Sequence, residues 1–224
     1  NLSALLKAGE TSLYTAKKSG VNQYAFYNVD LTHQAEYRFQ VEQNLREAIE
    51  KQQLSLVYQP QIKIDTGEIL GVEILSRWFH PQLGQIPPID FIATAERIGM
   101  IKPLTEWAIR TACYQLVAWK KGGFLVPRIA VNISPTLFLD KELVSLIKYI
   151  ITETGIASSE LELEVTEGVV QTDPRNLSIF QDLKDLGVLL TIDDFGTGYS
   201  SFASLKHLKV DFLKIDKYFV DDML

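Results

Sequence analysis

Two periodicities divide the chain. Residues 1–19, NLSALLKAGETSLYTAKKS, place Leu2, Leu5, Leu6, Leu13 and Ala16 at helical spacing, with Gly20 as a stop. QYAFY after it predicts a short strand, and residues 36–51 predict a second helix. From residue 54 the period shortens to two. LSLVYQPQIKI and EILGVEILSRW flank Asp65-Thr66-Gly67, which predicts an antiparallel hairpin. RIAVNIS, LELEVTE, LLTIDDF and VDFLKID read as four more strands. Helical patterns fall between them near 88–98, 103–120, 138–154, 174–186 and 200–207. Strands alternating with helices predict an α/β fold with a largely parallel sheet.

The polar positions sharpen this picture. Gln59, Glu73, Asn132, Glu164, Asp193 and Lys214 all fall at or near the C-terminal end of a predicted strand. A sheet interior disfavours a carboxylate unless it is paired or metal-bound. Charged residues at many strand ends favour a barrel, whose chemistry sits on the face where strands feed helices. An open doubly wound sheet remains the alternative, although it usually binds near one switch point.

Glu73, Asn132, Glu164, Asp193 and Asp194 offer only oxygen ligands, while His33, His80 and His207 lie away from these strand ends. Oxygen donors suit Mg²⁺ or Mn²⁺, with Ca²⁺ as a further binder. Where the backbone turns at a strand end, adjacent aspartates can both face the mouth. Asp193 could then bridge two ions while Asp194 serves the second, the arrangement of two-metal phosphodiester cleavage. A strand ending in Asp-Asp before glycine is also an ordinary turn and helix cap. Lys214 reads as a fixed ammonium that holds the attacking water or offsets developing charge, or as a structural salt bridge. Glu167 could support these ligands or order its loop. Arg77 offers a planar fork for phosphate. Gln59 could reach a base edge or a phosphate, or simply end its strand.

Composition narrows the partners. With 22 Lys+Arg against 28 Asp+Glu and a net charge of -6, no DNA- or RNA-binding footprint is expected. An anionic substrate stays compatible, because divalent ions invert the field of an acidic cleft. The one cysteine, Cys113, rules out an internal disulfide and reads as a core residue. No apolar run approaches the roughly 18 residues of a membrane span. The expectation is a cytoplasmic protein, compatible with a membrane-anchored parent chain. GTGYSS lacks the lysine of a phosphate loop, and DDFG has no supporting kinase motifs.

EILSRWFHP, VNISP, LELEVTE, TIDDFGTGYSSF and LKVDFLKIDKYFV together resemble the EAL domain, the bacterial cyclic-di-GMP phosphodiesterase family. Glu73-Ile74-Leu75 stands at the signature, with isoleucine in the alanine position. SLYTAKKSGVNQYAFY resembles the last helix and strand of a GGDEF domain. The resemblance implies a GGDEF remnant over 1–28, a linker and first helix over 29–52, and an EAL domain over 53–224.

It further implies a TIM-like (β/α)8 barrel with an antiparallel first strand, whose last two strands are absent from this chain. Glu73, Asn132, Glu164 and Asp193 would hold one Mg²⁺ or Mn²⁺. Asp193 would bridge to a second ion bound by Asp194, and Ca²⁺ would bind as an inhibitor. Lys214 would position the hydrolytic water, Glu167 would stabilise its loop, and Gln59 and Arg77 would contact the dinucleotide. Linear pGpG would be the product. The family's further glutamate for the second metal falls beyond residue 224. Upstream GGDEF and sensory domains and a homodimeric parent are also implied. A non-catalytic cyclic-di-GMP receptor acting through a protein partner, and a structural fragment, remain the competing readings.

Overall fold

The structure is a computed structural model that describes residues 2–18, 20–171, 174–196 and 209–221. The helix predicted at 200–207 lies outside the described residues. Helix α1 spans Leu2–Lys18 and α2 spans Val29–Glu50. The second helix starts earlier than its apolar pattern suggests. The Asn28 side chain caps it, accepting the Asp30 amide at 3.0 Å. Residues 23–27 form no strand, a correction with a simple cause: among the described residues no strand pairs with them, and Tyr24 and Phe26 make an edge-on ring contact instead.

Strands β1 (Leu54–Ile62) and β2 (Ile69–His80) form the predicted antiparallel hairpin. A three-residue strand, β3 (Gly84–Ile86), folds back on β2. Next come α3 (Pro88–Arg97), α4 (Ile101–Lys121), β4 (Ile129–Asn132), α5 (Pro135–Phe138) and α6 (Leu143–Thr154). The single helix predicted over 138–154 is thus interrupted. There the Asp140 side chain accepts the Glu142 amide at 2.9 Å and its carbonyl accepts the Leu143 amide. The chain continues through β5 (Leu161–Thr166), α7 (Gly168–Gln171), α8 (Pro174–Leu186), β6 (Leu189–Phe195), β7 (Phe212–Ile215) and α9 (Lys217–Asp221).

The sheet path is β1-β2-β4-β5-β6-β7, with β3 beside β2. Among the described strands, β1 and β3 run antiparallel to β2, and the β2–β4, β4–β5, β5–β6 and β6–β7 pairs are parallel. Strand alternation divides the side chains between two faces. Ile129, Val131, Leu161, Leu163, Val165, Leu190 and Ile192 are buried on one face. They share a core with Ile109, Cys113 and Leu116 of α4, Leu143, Ile147 and Ile150 of α6, and Leu183 of α8. Val41, Leu45, Ala48 and Ile49 bind the C-terminal half of α2 into the same core. The opposite face of the strands carries the polar residues singled out above.

Candidate active site

Four strands bring one cation and three carboxylates together. Lys214 on β7 donates from Nζ to Glu164 Oε2 of β5 at 2.8 Å, Glu73 Oε2 of β2 at 2.9 Å and Asp193 Oδ2 of β6 at 3.4 Å. Asn132, at the tip of β4, joins the group by donating from Nδ2 to Glu73 Oε1 at 2.8 Å. The parallel register makes this possible, since Asn132 pairs with Glu164 across β4 and β5. Gln59 stands opposite Glu73 in the β1–β2 register and is exposed.

Burial sets the electrostatics. Glu164 is wholly buried, and loss of water pushes its carboxyl up to about 7 against the stabilising pull of Lys214. Burial also works against the Lys214 ammonium. Its hydrogen bond and attraction to Glu164, with those from Glu73 and Asp193, outweigh that effect and hold it above its ordinary value. Glu164 Oε1 is buried without a hydrogen-bond partner.

The adjacent aspartates behave differently from each other. Both lie within β6, and the pairing with β7 slips between Ile192 and Phe195. Asp194 adopts a left-handed backbone (φ 53°), uncommon for a residue other than glycine. This bulge lets Asp193 face Lys214 while the exposed Asp194 turns toward Asp216. Burial, then the charges of Asp193 and Asp216, raise the Asp194 carboxyl. The Asp194 amide donates to Asp193 Oδ1 at 2.9 Å, which helps fix the bulge.

Buried Glu167 spans two loops: its Oε2 accepts the Gly196 amide at 2.9 Å, and its own amide donates to the Asp193 carbonyl. Arg77 lies further along β2, donating to the Ser76 carbonyl at 2.9 Å. It lines a cavity of about 320 Å³ together with Leu75, Asn132, Ser134 and Thr166. The cavity therefore borders the carboxylate cluster through Asn132.

Among the described residues, no group of three or more acidic, histidine or cysteine side chains is arranged to hold a metal ion. The carboxylates surround the Lys214 ammonium instead. Sequence reasoning also overlooked a polar group beneath them: Arg128, buried Glu162 and buried Thr191. The Glu-x-Glu spacing of LELEV was the available signal, because residues two apart share a face of the strand.

A largely parallel sheet flanked by helices, with Glu164 and Asp193 from near the ends of β5 and β6 and Glu73 from within β2 rather than from its predicted end, defines an α/β protein with its polar centre on one face of the strands. The EAL domain model matches residues 42–224, and the chain belongs to that family. It is 39% identical over 220 residues to the bifunctional diguanylate cyclase/cyclic di-GMP phosphodiesterase MucR of Pseudomonas aeruginosa, covering 98% of this chain and 32% of that protein. It is 35% identical over 221 residues to the cyclic di-GMP phosphodiesterase PdeR of Escherichia coli, covering 98% of this chain and 33% of the relative. The chain thus spans about a third of the length of these relatives. The solved structure of the PaMucR phosphodiesterase in complex with c-di-GMP superimposes with a TM-score of 0.78 at 41% identity. That similarity covers 82% of this chain and 75% of the other.

Proposed function

We propose that the chain carries the catalytic face of a metal-dependent phosphodiesterase that opens cyclic-di-GMP to linear pGpG. The convergence of Glu73, Glu164 and Asp193 from three strands on Lys214 carries this reading. Family membership and the relatives' activities support it. The residues fit a hard divalent cation: their donors are oxygens, and the buried Glu164 Oε1 lacks a partner.

Glu73, Asn132, Glu164, Asp193 and Asp194 would hold two Mg²⁺ or Mn²⁺ ions, with Asp193 shared; Ca²⁺ would bind as an inhibitor. Bound ions supply Lewis acidity toward a phosphoryl oxygen and a more acidic water. Lys214 would orient the attacking water and offset negative charge gathering at phosphorus. Water oxygen forms a bond to phosphorus as one ribose P–O bond breaks, and the leaving oxygen gains a proton. Arg77 and Gln59 hold the dinucleotide, Arg77 from the cavity beside Asn132. Glu167 keeps the β5 and β6 loops at a fixed separation.

The sheet is read as part of a TIM-like (β/α)8 barrel, and residues 1–28 as the end of a GGDEF domain ahead of the 29–52 linker. The parent is read as a homodimer, cytoplasmic and compatible with a membrane anchor. The central ammonium favours one second reading, a receptor that binds cyclic-di-GMP without cleaving it.

Full-length protein incubated with cyclic-di-GMP and Mn²⁺, followed by chromatography, separates the two. Accumulation of pGpG that is lost in Asp193→Asn and Glu73→Ala supports the enzyme. Tight binding without pGpG supports the receptor.

A further inference from the structure

One alternation below the acid cluster, the strands carry a second set of joined residues. They are Gln61 on β1, Gly71 on β2, Arg128 just before β4, Glu162 on β5, Thr191 on β6 and Phe212 on β7. On β1, β2, β5, β6 and β7, each lies two residues from Gln59, Glu73, Glu164, Asp193 or Lys214, and so on the same strand face. Arg128 lies four residues before Asn132 on the same alternation.

The contacts among them are close. Arg128 Nε stands 2.5 Å from Glu162 Oε2, an ion pair whose angle is poor for a hydrogen bond. Thr191 Oγ1 donates to Glu162 Oε1 at 2.5 Å, with both residues buried. The Arg128 guanidinium also lies 4.3 Å from the centre of the Phe212 ring, and its Nη2 reaches Gln61 Oε1 at 3.4 Å. Gly71 makes the crossing possible. A Cβ there would come within 2.7 Å of Arg128 Cγ and 3.0 Å of its carbonyl oxygen.

A buried ion pair is a poor source of net stability, because desolvation offsets most of its attraction. Its directional partners can still resist sliding of one strand against the next. A one-residue slip would move a strand's polar set to the other face.

We propose that Arg128, Glu162 and Thr191 are positioning residues for the site above, fixing the relative heights of β5, β6 and β7 so that Glu164, Asp193 and Lys214 meet. This rests on the hydrolytic reading only for its kinetic test. Glu162 holds β6 through Thr191 and, through Arg128, is linked to Phe212 on β7. The side-chain hydrogen bonds and ion pairs of the three go to one another and to Gln61, and Thr191 meets the Lys214 cluster through its backbone pairing with Glu164, so their effect on it passes through strand placement.

The test uses full-length wild type, Thr191→Val, Thr191→Ser, Glu162→Gln and Arg128→Lys, with crystal structures, kcat and KM for cyclic-di-GMP under Mn²⁺, and Tm. Thr191→Val keeps the side-chain shape but loses the donor. Its kcat should fall about tenfold or more with KM little changed, because small misplacements of reacting groups are costly. The Lys214 Nζ–Glu164 Oε2 separation should lengthen from 2.8 Å. Thr191→Ser should restore both. If Thr191→Val does not fold, Glu162→Gln and Arg128→Lys are read in the same way. Variants that lower Tm but keep the wild-type separation and kcat would overturn the proposal. If wild type makes no pGpG, the hydrolytic reading fails, while the crystallographic separations still decide the positioning role.

Discussion

Replacing Lys214 by methionine removes the cation and leaves Glu73, Glu164 and Asp193 facing one another. The cost depends mainly on Glu164, which is wholly buried, whereas Glu73 and Asp193 retain 17% and 20% side-chain exposure. Breaking a buried pair by removing one partner costs roughly 3–5 kcal/mol. Partial solvation of the other two acids, and proton uptake by Glu164, reduce this to about 2–3 kcal/mol near neutral pH. Burial already pushes the Glu164 carboxyl up to about 7, so folding favours its protonated form. Its contribution is therefore fully present at pH below about 4.5 and is lost as pH rises through its folded value. Without Lys214 that value should rise further.

Urea unfolding of metal-free Lys214→Met should show a large deficit against wild type at pH 8 and a smaller one at pH 5. Added Mn²⁺ should stabilise the variant at pH 8 by offsetting the same charges. Equal stability at pH 8, or a deficit that does not change with pH, would refute the electrostatic account of the cluster.

Three other outcomes follow from local geometry. Gly196 has φ 101°, and a Cβ there would lie 2.6 Å from the Phe219 ring, so Gly196→Ala should cost about 1–3 kcal/mol in denaturant unfolding. Leu45→Ala should cost about 2–5 kcal/mol, because Leu45 is fully buried where α2 meets the core; near-neutral stability would mean that α2 is not bound there. Burial pushes the Cys113 thiol up to about 12, so alkylation at pH 8 should be negligible in the native protein and rapid in urea.

The main strands were legible because strand alternation and helical spacing separate cleanly from Leu54 onward. The identity of the polar strand-tip residues was also plain, since LELEVTE and TIDDF place acids where an apolar core has no use for them. Strand β3 was not legible: Gly84–Ile86 is too short to carry a period and exists through its pairing with β2. QYAFY failed for the converse reason, strand-like composition without a partner. The central place of Lys214 could not be read locally, because its three acids lie 141, 50 and 21 positions away. Arg128 opens the predicted strand RIAVNIS, but its role was hidden because Gly71, which makes room for it, and Glu162, its ion-pair partner, lie on other strands.

The bulge at Asp194 has a consequence for change over generations. An ordinary strand can gain or lose residues near its tip with only its length altered. Between Ile192 and Phe195 the chain has no such freedom. Deleting Asp194 would restore regular alternation and keep Asp193 opposite Ile192, but it would remove the second acid and its approach to Asp216. The length of β6 is therefore dictated by the chemistry at its tip, and insertions and deletions should collect in the neighbouring loops.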